Sequence, residues 1–265
     1  MPNLPTSHRS AWTAALLVGL FGAMAAACAP ASEASPTPQP LLPLVGVTPS
    51  LEPLVVRWMA EYADANGVPD FDLTILPLAA AEEDALAGRI VLLVAAAEPP
   101  PGWFATPLGR EGLVVIVHPE NPIRSFAFDD LGALFSGEAQ RWDALAGPAR
   151  DIQPVIPVPG DELRSLFQDR VMNTRRMASS ARLAPSPELM GDLVAEDAGR
   201  IGLIPWSAVD DRFVAVRIEG TLPSESTIRD GTYPLTAPVL ALAPHEPQGA
   251  VREWLVWMQA RDLDS

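Results

Sequence analysis

The sequence is poor in the residues from which most catalytic and metal sites are built. It contains one cysteine, which excludes a disulfide framework and a cysteine-based metal site. Its three histidines, His8, His118 and His245, are far apart in the sequence and do not suggest a metal cluster. The sequence has no G-x-S-x-G, P-loop or H-E-x-x-H motif. We therefore expect no enzymatic activity, no metal and no cofactor.

Basic residues are also scarce. Lysine is absent, and the 18 basic residues, all arginine, face 33 acidic ones, for a net charge of −15. This balance argues against nucleic acid and anionic membrane surfaces as partners, because basic patches recognise both. What is present is apolar: 48% hydrophobic and 19% charged residues are typical of a globular protein. A chain of 265 residues can bury a sizeable core, in one domain or in two lobes.

The N-terminus has the features of a targeting segment. Arg9 precedes an apolar run, residues 11–27, which is too short and too rich in alanine for a membrane span. The run ends in three alanines directly before Cys28. This pattern resembles a bacterial lipoprotein signal over residues 1–28, in which the cysteine is lipidated; an ordinary secretory signal is the alternative. Residues 29–42 are rich in Pro, Ser and Ala and are predicted to form a solvated tether.

Predicted strands and helices alternate along the rest of the chain. Apolar runs predict strands at residues 44–47, 71–76, 90–95, 113–117, 155–158, 202–205, 213–218 and 239–243. Amphipathic patterns predict helices at residues 50–66, 79–87, 129–135, 161–172 and 249–260, and another from Pro187 with Ser186 as its N-cap. This alternation predicts an α/β fold with a buried, mostly parallel sheet.

The segment of residues 109–145 is the most informative part of the sequence. Its apolar strand, Leu113–Val117, is followed by a turn at Asn121-Pro122, a short helix, a stop at Ser136-Gly137, and Trp142, which we expect to be exposed. This order resembles the hinge segment of the phosphate-type substrate-binding proteins of ABC transporters. The matching positions are Gly112, Val115, Ile116, Val117, Pro119, Asn121, Pro122, Leu131, Leu134, Phe135, Ser136, Gly137, Trp142 and Leu145.

The resemblance extends over roughly residues 44–260 and includes two further motifs, Ile201-Gly202-Leu203 and Tyr233-Pro234-Leu235. It implies a type II periplasmic-binding-protein-like α/β fold, in which two lobes are joined by two hinge crossovers and the ligand lies in the cleft between them. Residues 43–120 and 209–265 would form lobe one, and residues 121–208 would form lobe two.

The same resemblance implies a function. The protein would be an extracytoplasmic, monomeric lipoprotein, anchored to the cell membrane through its lipid alone. It would capture a small solute, phosphate or another oxyanion in this family, by hinge closure and deliver it to an ABC permease. The alternative is a degenerate domain that serves as an extracellular sensor or interaction module without binding phosphate.

Two of the places where the family binds phosphate lie at strand ends of lobe one. At the first, Thr48 and Ser50 place hydroxyls at a helix N-terminus, where they suit either an oxyanion or a simple N-cap. At the second, the family carries an acidic or hydroxyl residue, but this chain has three alanines, residues 95–97, followed by Glu98. Alanine side chains cannot hydrogen-bond a ligand.

The third place is a loop that opens a helix of lobe two and reads "GSGTRxxF" in the family. The matching positions here are Gly160, Arg164 and Phe167, whereas Asp161, Glu162 and Leu163 replace Ser, Gly and Thr. Two carboxylates at this position would repel an anion. Asp161 either caps the helix as the protein's own anion or, together with Glu162, receives a cationic or polyhydroxylated ligand. The candidate ligand-binding residues are therefore Thr48, Ser50, Asp161, Glu162 and Arg164.

Overall fold

The computed structural model describes residues 42–145 and 147–263. The predicted signal, the lipidation site Cys28 and almost the whole tether lie outside the described residues. Among the residues that are described, no helix combines the length and the apolar character that crossing a membrane requires.

Eleven strands and seven α-helices make up the described chain. The strands are β1 (Leu44–Val47), β2 (Asp72–Ile75), β3 (Leu92–Ala95), β4 (Phe104–Val117), β5 (Ser125–Phe126), β6 (Gln153–Pro157), β7 (Arg182–Ala184), β8 (Arg200–Pro205), β9 (Val214–Ala215), β10 (Arg217–Ile218) and β11 (Thr236–Ala243). The helices are α1 (Glu52–Asn66), α2 (Leu78–Leu86), α3 (Phe128–Ser136), α4 (Glu162–Phe167), α5 (Pro187–Glu196), α6 (Glu225–Arg229) and α7 (Gly249–Leu263).

One sheet runs through both lobes, in the order β2-β1-β3-β11-β4-β8-β6-β7. The strand β4 connects the two halves of this sheet: residues 104–112 pair with β11, and residues 113–117 pair with β8. Pairing is parallel among β1, β2 and β3 and among β6, β7 and β8, but antiparallel wherever β4 or β11 is involved. The sheet is therefore mixed, and the prediction of a mostly parallel sheet holds only within its two outer parts.

Separate groups of buried side chains stabilise the two halves. In the first half, α1 and α7 pack on one face of β1, β3 and β11, with Trp58 and Trp254 in the core, and α2 packs on the other. In the second half, α3, α4 and α5 surround residues 113–117, β6 and β8. This second core also includes residues 213–237, so the boundaries at residues 120/121 and 208/209 stay predictions. The predicted two-lobed α/β fold itself is confirmed.

Several predictions that depend only on residues close in sequence are confirmed. The apolar side of α1, which includes Leu54, Val55 and Trp58, is buried as its periodicity predicts. Ser186 caps α5, since its Oγ accepts the Leu189 N–H at 3.3 Å. The helix predicted at residues 161–172 is formed by α4 and a following π-helical segment, Gln168–Met172.

Two predictions from the sequence are wrong. Trp142 is fully buried rather than exposed, because it packs in the second core and its Nε1 donates to the Gly199 carbonyl at 3.0 Å. The strand predicted at residues 213–218 consists of two short strands, β9 and β10. It is interrupted because β9 pairs with β4 whereas β10 pairs with β5.

Candidate functional site

The predicted site residues lie at one edge of the sheet, where the chain leaves β1, β3 and β6. Thr48 and Ser50 follow β1 and lie just before α1, while Asp161 and Glu162 follow β6 and begin α4. Carboxyl ends of parallel strands gather ligand-binding groups at such an edge. All four side chains are almost completely buried, at 0 to 7% exposure, and they bring the two lobes into contact.

Asp161 connects the N-terminus of α4 to lobe one. Its Oδ1 accepts the Arg164 N–H at 2.9 Å, which makes it the N-cap of α4 as one sequence interpretation predicts. Its Oδ2 accepts a hydrogen bond from the Ser50 hydroxyl of the other lobe. Asp161 therefore satisfies a backbone donor that would otherwise be available to an anion.

Glu162 reaches further across the cleft. Its Oε1 accepts hydrogen bonds from the Thr48 hydroxyl and from the Ala96 N–H, the latter at 3.4 Å. Its Oε2 is buried and has no hydrogen-bond partner in the described part of the chain. One carboxylate oxygen thus occupies a position between a hydroxyl and a backbone N–H, which is the kind of donor pair that binds an oxyanion.

The backbone of Ala96 is the functional group that the sequence analysis overlooked. The three alanines at the end of β3, residues 95–97, have no side-chain donors, but the N–H of the middle one donates to Glu162 across the cleft. The side-chain sequence carries no signal for this donor; it becomes apparent only from the pairing of β3 with β1, the strand that leads to Thr48.

Arg164 does not take part in the contact between the lobes. Its Nη1 donates to the Pro157 carbonyl at 2.7 Å, so the guanidinium ties α4 back to the end of β6. Burial lowers the pKa of this guanidinium, and the nearby charge of Asp161 partly opposes that change. The structure brings together four of the five candidate residues and assigns Arg164 to the support of the loop.

The environment of the two carboxyl groups favours their protonated forms. Burial, and then the charge of Asp161, raises the pKa of Glu162 from 4.5 to about 6, against the opposing effect of the Thr48 hydroxyl. Burial also raises the pKa of Asp161, and its hydrogen bond with Ser50 works in the opposite direction. Each of the two carboxyl groups accepts a hydrogen bond from a hydroxyl of the other lobe.

The cleft has little free space. A cavity of about 10 Å³ lies beside Ser50 and Asp161 among mostly apolar side chains, including Leu113, Met190 and Leu203. This volume accommodates about one water molecule, whereas small-molecule sites usually have several hundred Å³. No group of three or more His, Cys, Asp or Glu side chains within residues 42–145 and 147–263 is arranged to hold a metal ion. In this conformation the carboxylate of Glu162 fills the space between the donors.

Known proteins share this architecture and parts of this sequence. The phosphate-binding protein PstS of Bacillus subtilis is 24% identical over 153 residues, which span 57% of this chain and 51% of that protein. A Clostridium perfringens structure with bound phosphate, described as a substrate-binding protein of a phosphate ABC transporter, has a TM-score of 0.73 at 18% identity, covering 82% of this chain and 92% of that one. An ABC-type phosphate transport receptor from Vibrio cholerae has a TM-score of 0.66 at 17% identity, covering 84% and 95%.

The match to a whole family covers more of the chain than the match to PstS. The family described as the PBP superfamily domain matches residues 34–262, which include every strand, almost every helical residue and both sides of the cleft. Together with the solved structures, this match assigns the fold independently of the hinge motif. The chain therefore belongs to the PBP superfamily, and its fold is the one found in these phosphate-binding proteins.

Proposed function

We propose that this protein is an extracytoplasmic sensor or interaction module in which Glu162 takes the place of the oxyanion. The observation that carries this proposal is the pair of hydrogen bonds from the Thr48 hydroxyl and the Ala96 N–H to the Glu162 carboxylate. These bonds join the lobes in the way that a bound anion would. The closed form, which a binding protein of this fold reaches by capturing its ligand, is here stabilised from within the chain.

The same contact disfavours the binding of free phosphate in the cleft. Phosphate would have to displace the Glu162 carboxylate from its donors, and the displaced carboxylate would stay close by because α4 begins there. Two unit charges of the same sign about 4 Å apart repel by about 4 kcal/mol at an effective dielectric constant of about 20. That energy corresponds to about a thousandfold in dissociation constant. Asp161 adds a second negative charge to the same loop.

The extracytoplasmic location and the membrane anchor are part of the proposal. The signal-like residues 1–28 and the single Cys28 support attachment through a lipid, with residues 29–42 as the tether. An anchored domain in its closed form would present one fixed surface to a membrane partner. Such a protein would act as a sensor or bind a partner, rather than transport a solute.

A second candidate is the solute-binding lipoprotein of an ABC transporter. The names of PstS and of the two solved structures favour it. So does the pKa of Glu162, which at about 6 allows the carboxyl to become neutral in mild acid. Protonation would remove the contribution of Glu162 to the repulsion of an incoming anion. Under this proposal the protein would capture an oxyanion in acidic surroundings and deliver it to a permease.

Calorimetric titration of the purified protein with inorganic phosphate distinguishes the two candidates. For a sensor or interaction module we expect no saturable binding at about pH 7.5 or about pH 5.5, at phosphate concentrations up to about 1 mM. The variant Glu162→Ala should gain phosphate affinity by at least about tenfold, because it removes the competing carboxylate. The control Glu98→Ala removes an exposed glutamate that follows the alanines and should leave binding unchanged.

Two results would change this conclusion. Saturable binding by the unaltered protein only at about pH 5.5 would favour the transport candidate. The proposal that Glu162 occupies the oxyanion position would be contradicted if the unaltered protein bound phosphate at about pH 7.5 with a micromolar dissociation constant and as tightly as Glu162→Ala.

A further inference from the structure

A groove of about 720 Å³ lies on a different part of the molecule from the cleft. It is bordered by α1, α6, α7 and the segment of β4 at residues 108–111, and it has no lining residue in common with the contact between the carboxylates and the hydroxyls. Its volume falls within the range of small-molecule sites, whereas the cleft holds about one water. The groove is therefore the larger candidate site of the described chain.

An irregularity in β4 shapes the floor of the groove. The register between β4 and β11 shifts at Val239/Leu240, opposite Gly109, which has a φ of +148°. Such bulges bend a strand and increase its local twist. Glycine tolerates this backbone conformation. A β-carbon at position 109 would lie 3.6 Å from the ring of Trp58. The ring of Trp58 and the bent strand together form an apolar floor.

Arginines surround this floor, in a protein with a net charge of −15. Arg57 is 4.0 Å from its nearest carboxylate, and Arg110 donates to the Thr236 hydroxyl at 3.0 Å. Arg229 makes no ion pair within 4 Å in the described part of the chain, although its charge acts on the adjacent Asp230. These three guanidiniums have most of their hydrogen-bonding capacity left, unlike Arg141 or Arg212, each of which bridges two aspartates.

The carboxylates of the groove do not cancel this positive charge. Glu61 contacts the guanidinium of Arg261. Glu111 lies beneath the floor with 1% exposure, where its Oε1 accepts the Gly112 N–H at 2.8 Å. Its Oε2 has no partner at hydrogen-bonding geometry, although Ser207 is close enough to act on it. Four arginines thus line the groove against three carboxylates: Glu61 lies between Arg57 and Arg261, Glu111 is buried, and Glu225 is exposed.

We propose that this groove binds an organic anion, a carboxylate or phosphate that carries an apolar or aromatic part. The guanidiniums of Arg57 and Arg110 would hold the anionic group, since planar guanidiniums match carboxylate and phosphate geometry. The apolar part would lie against the side chains that line the groove, namely Leu54, Trp58, Ile228 and Met258. Binding there is independent of whether the cleft accepts an oxyanion.

Calorimetric titration of the purified protein with phenyl phosphate tests the proposal, with inorganic phosphate and phenol as probes that each lack one part. We expect saturable binding of phenyl phosphate, at least about tenfold weaker binding of either partial probe, and a loss of about tenfold in affinity in each of Arg57→Ala and Arg110→Ala. The matched control Arg150→Ala removes an exposed arginine that does not line the groove and should bind as the unaltered protein does. Arg57 and Arg110 are exposed, so neither substitution should prevent folding.

Two results would overturn the proposal. One is the absence of saturable binding of phenyl phosphate at concentrations up to about 5 mM. The other is an affinity that is the same in the double variant Arg57→Ala/Arg110→Ala as in Arg150→Ala, because the anion would then bind elsewhere.

Discussion

Replacing Glu162 by glutamine should remove one contribution to the pH dependence of stability. The pKa of Glu162 rises from its ordinary 4.5 to about 6 in the folded protein, because the carboxyl is buried beside Asp161. Each pKa unit corresponds to about 1.4 kcal/mol, so ionising this group costs the folded state about 2 kcal/mol relative to the unfolded chain. The cost is absent below about pH 4.5, where Glu162 is protonated in both states, and is complete above about pH 6.

The direction of the effect follows from proton binding. Between about pH 4.5 and about pH 6 the folded state binds more protons at Glu162 than the unfolded state does, so its contribution to the free energy of unfolding decreases as pH rises. Glutamine does not titrate, and its side-chain oxygen can still accept from the Thr48 hydroxyl and the Ala96 N–H. The free energy of unfolding of Glu162→Gln minus that of the unaltered protein should therefore be about 2 kcal/mol larger at about pH 7.5 than at about pH 4.

Urea unfolding, followed by circular dichroism at several pH values, measures this difference. The contributions of the other carboxyl groups are largely shared by the two proteins and cancel in the comparison. If the amide of the glutamine lacks a hydrogen-bond partner, the free energy of unfolding of Glu162→Gln is lower by the same amount at every pH. Such a constant loss does not change how the difference between the two proteins depends on pH. Glu98→Gln alters an exposed glutamate and should follow the unaltered protein at every pH. A difference between Glu162→Gln and the unaltered protein that is flat, or that decreases with rising pH, would refute the burial and the charge environment assigned to Glu162.

Two further substitutions test the packing of the second core. Trp142→Phe should lower the free energy of unfolding by about 1–3 kcal/mol, because it removes the hydrogen bond from Nε1 to the Gly199 carbonyl and leaves unfilled space in the second core; that carbonyl keeps only the Gln153 N–H as a donor. A loss below about 0.5 kcal/mol in urea unfolding would contradict that role. Gly202→Ala should cost about 1–3 kcal/mol, because a β-carbon there would lie 2.7 Å from a Val194 methyl group in α5. A thermal midpoint that is unchanged or raised in Gly202→Ala would show that α5 shifts at no cost.

The predictable part of the fold depends on residues that are close in sequence. The period of α1 and the cap at Ser186 can be read from stretches of about a dozen residues. The first half of β4 could not be predicted in this way, because Pro107, Gly109 and Gly112 are residues that usually interrupt a strand. They are tolerated because β4 pairs with β11, more than a hundred residues later, and bends at a bulge. The burial of Trp142 likewise depends on a partner 57 residues away.

In the candidate site, too, the identities of the residues could be predicted but the contacts between them could not. The resemblance to the phosphate-type family, together with positions that follow buried strands, pointed to the four side chains that meet, Thr48, Ser50, Asp161 and Glu162, and also to Arg164, which does not join them. Which carboxylate would bond to which hydroxyl was not predictable, since the two bonds, Thr48 to Glu162 and Ser50 to Asp161, join residues 114 and 111 positions apart. The acceptor role of Glu162 at the Ala96 N–H was equally hidden, because a backbone donor has no signature in the side-chain sequence.

The two carboxylates of the loop make different contacts, and a change at either one should therefore have different consequences. Asp161 satisfies the Arg164 N–H at the start of α4, so its removal should weaken the helix as well as the contact with Ser50. Glu162 instead connects the lobes, because its Oε1 accepts from two groups of lobe one, the Thr48 hydroxyl and the Ala96 N–H. A change at Glu162 therefore alters the connection between the lobes while leaving the loop supported by Asp161 and by Arg164 on the Pro157 carbonyl. We therefore propose that Glu162, more than Asp161, determines whether the cleft accepts an oxyanion.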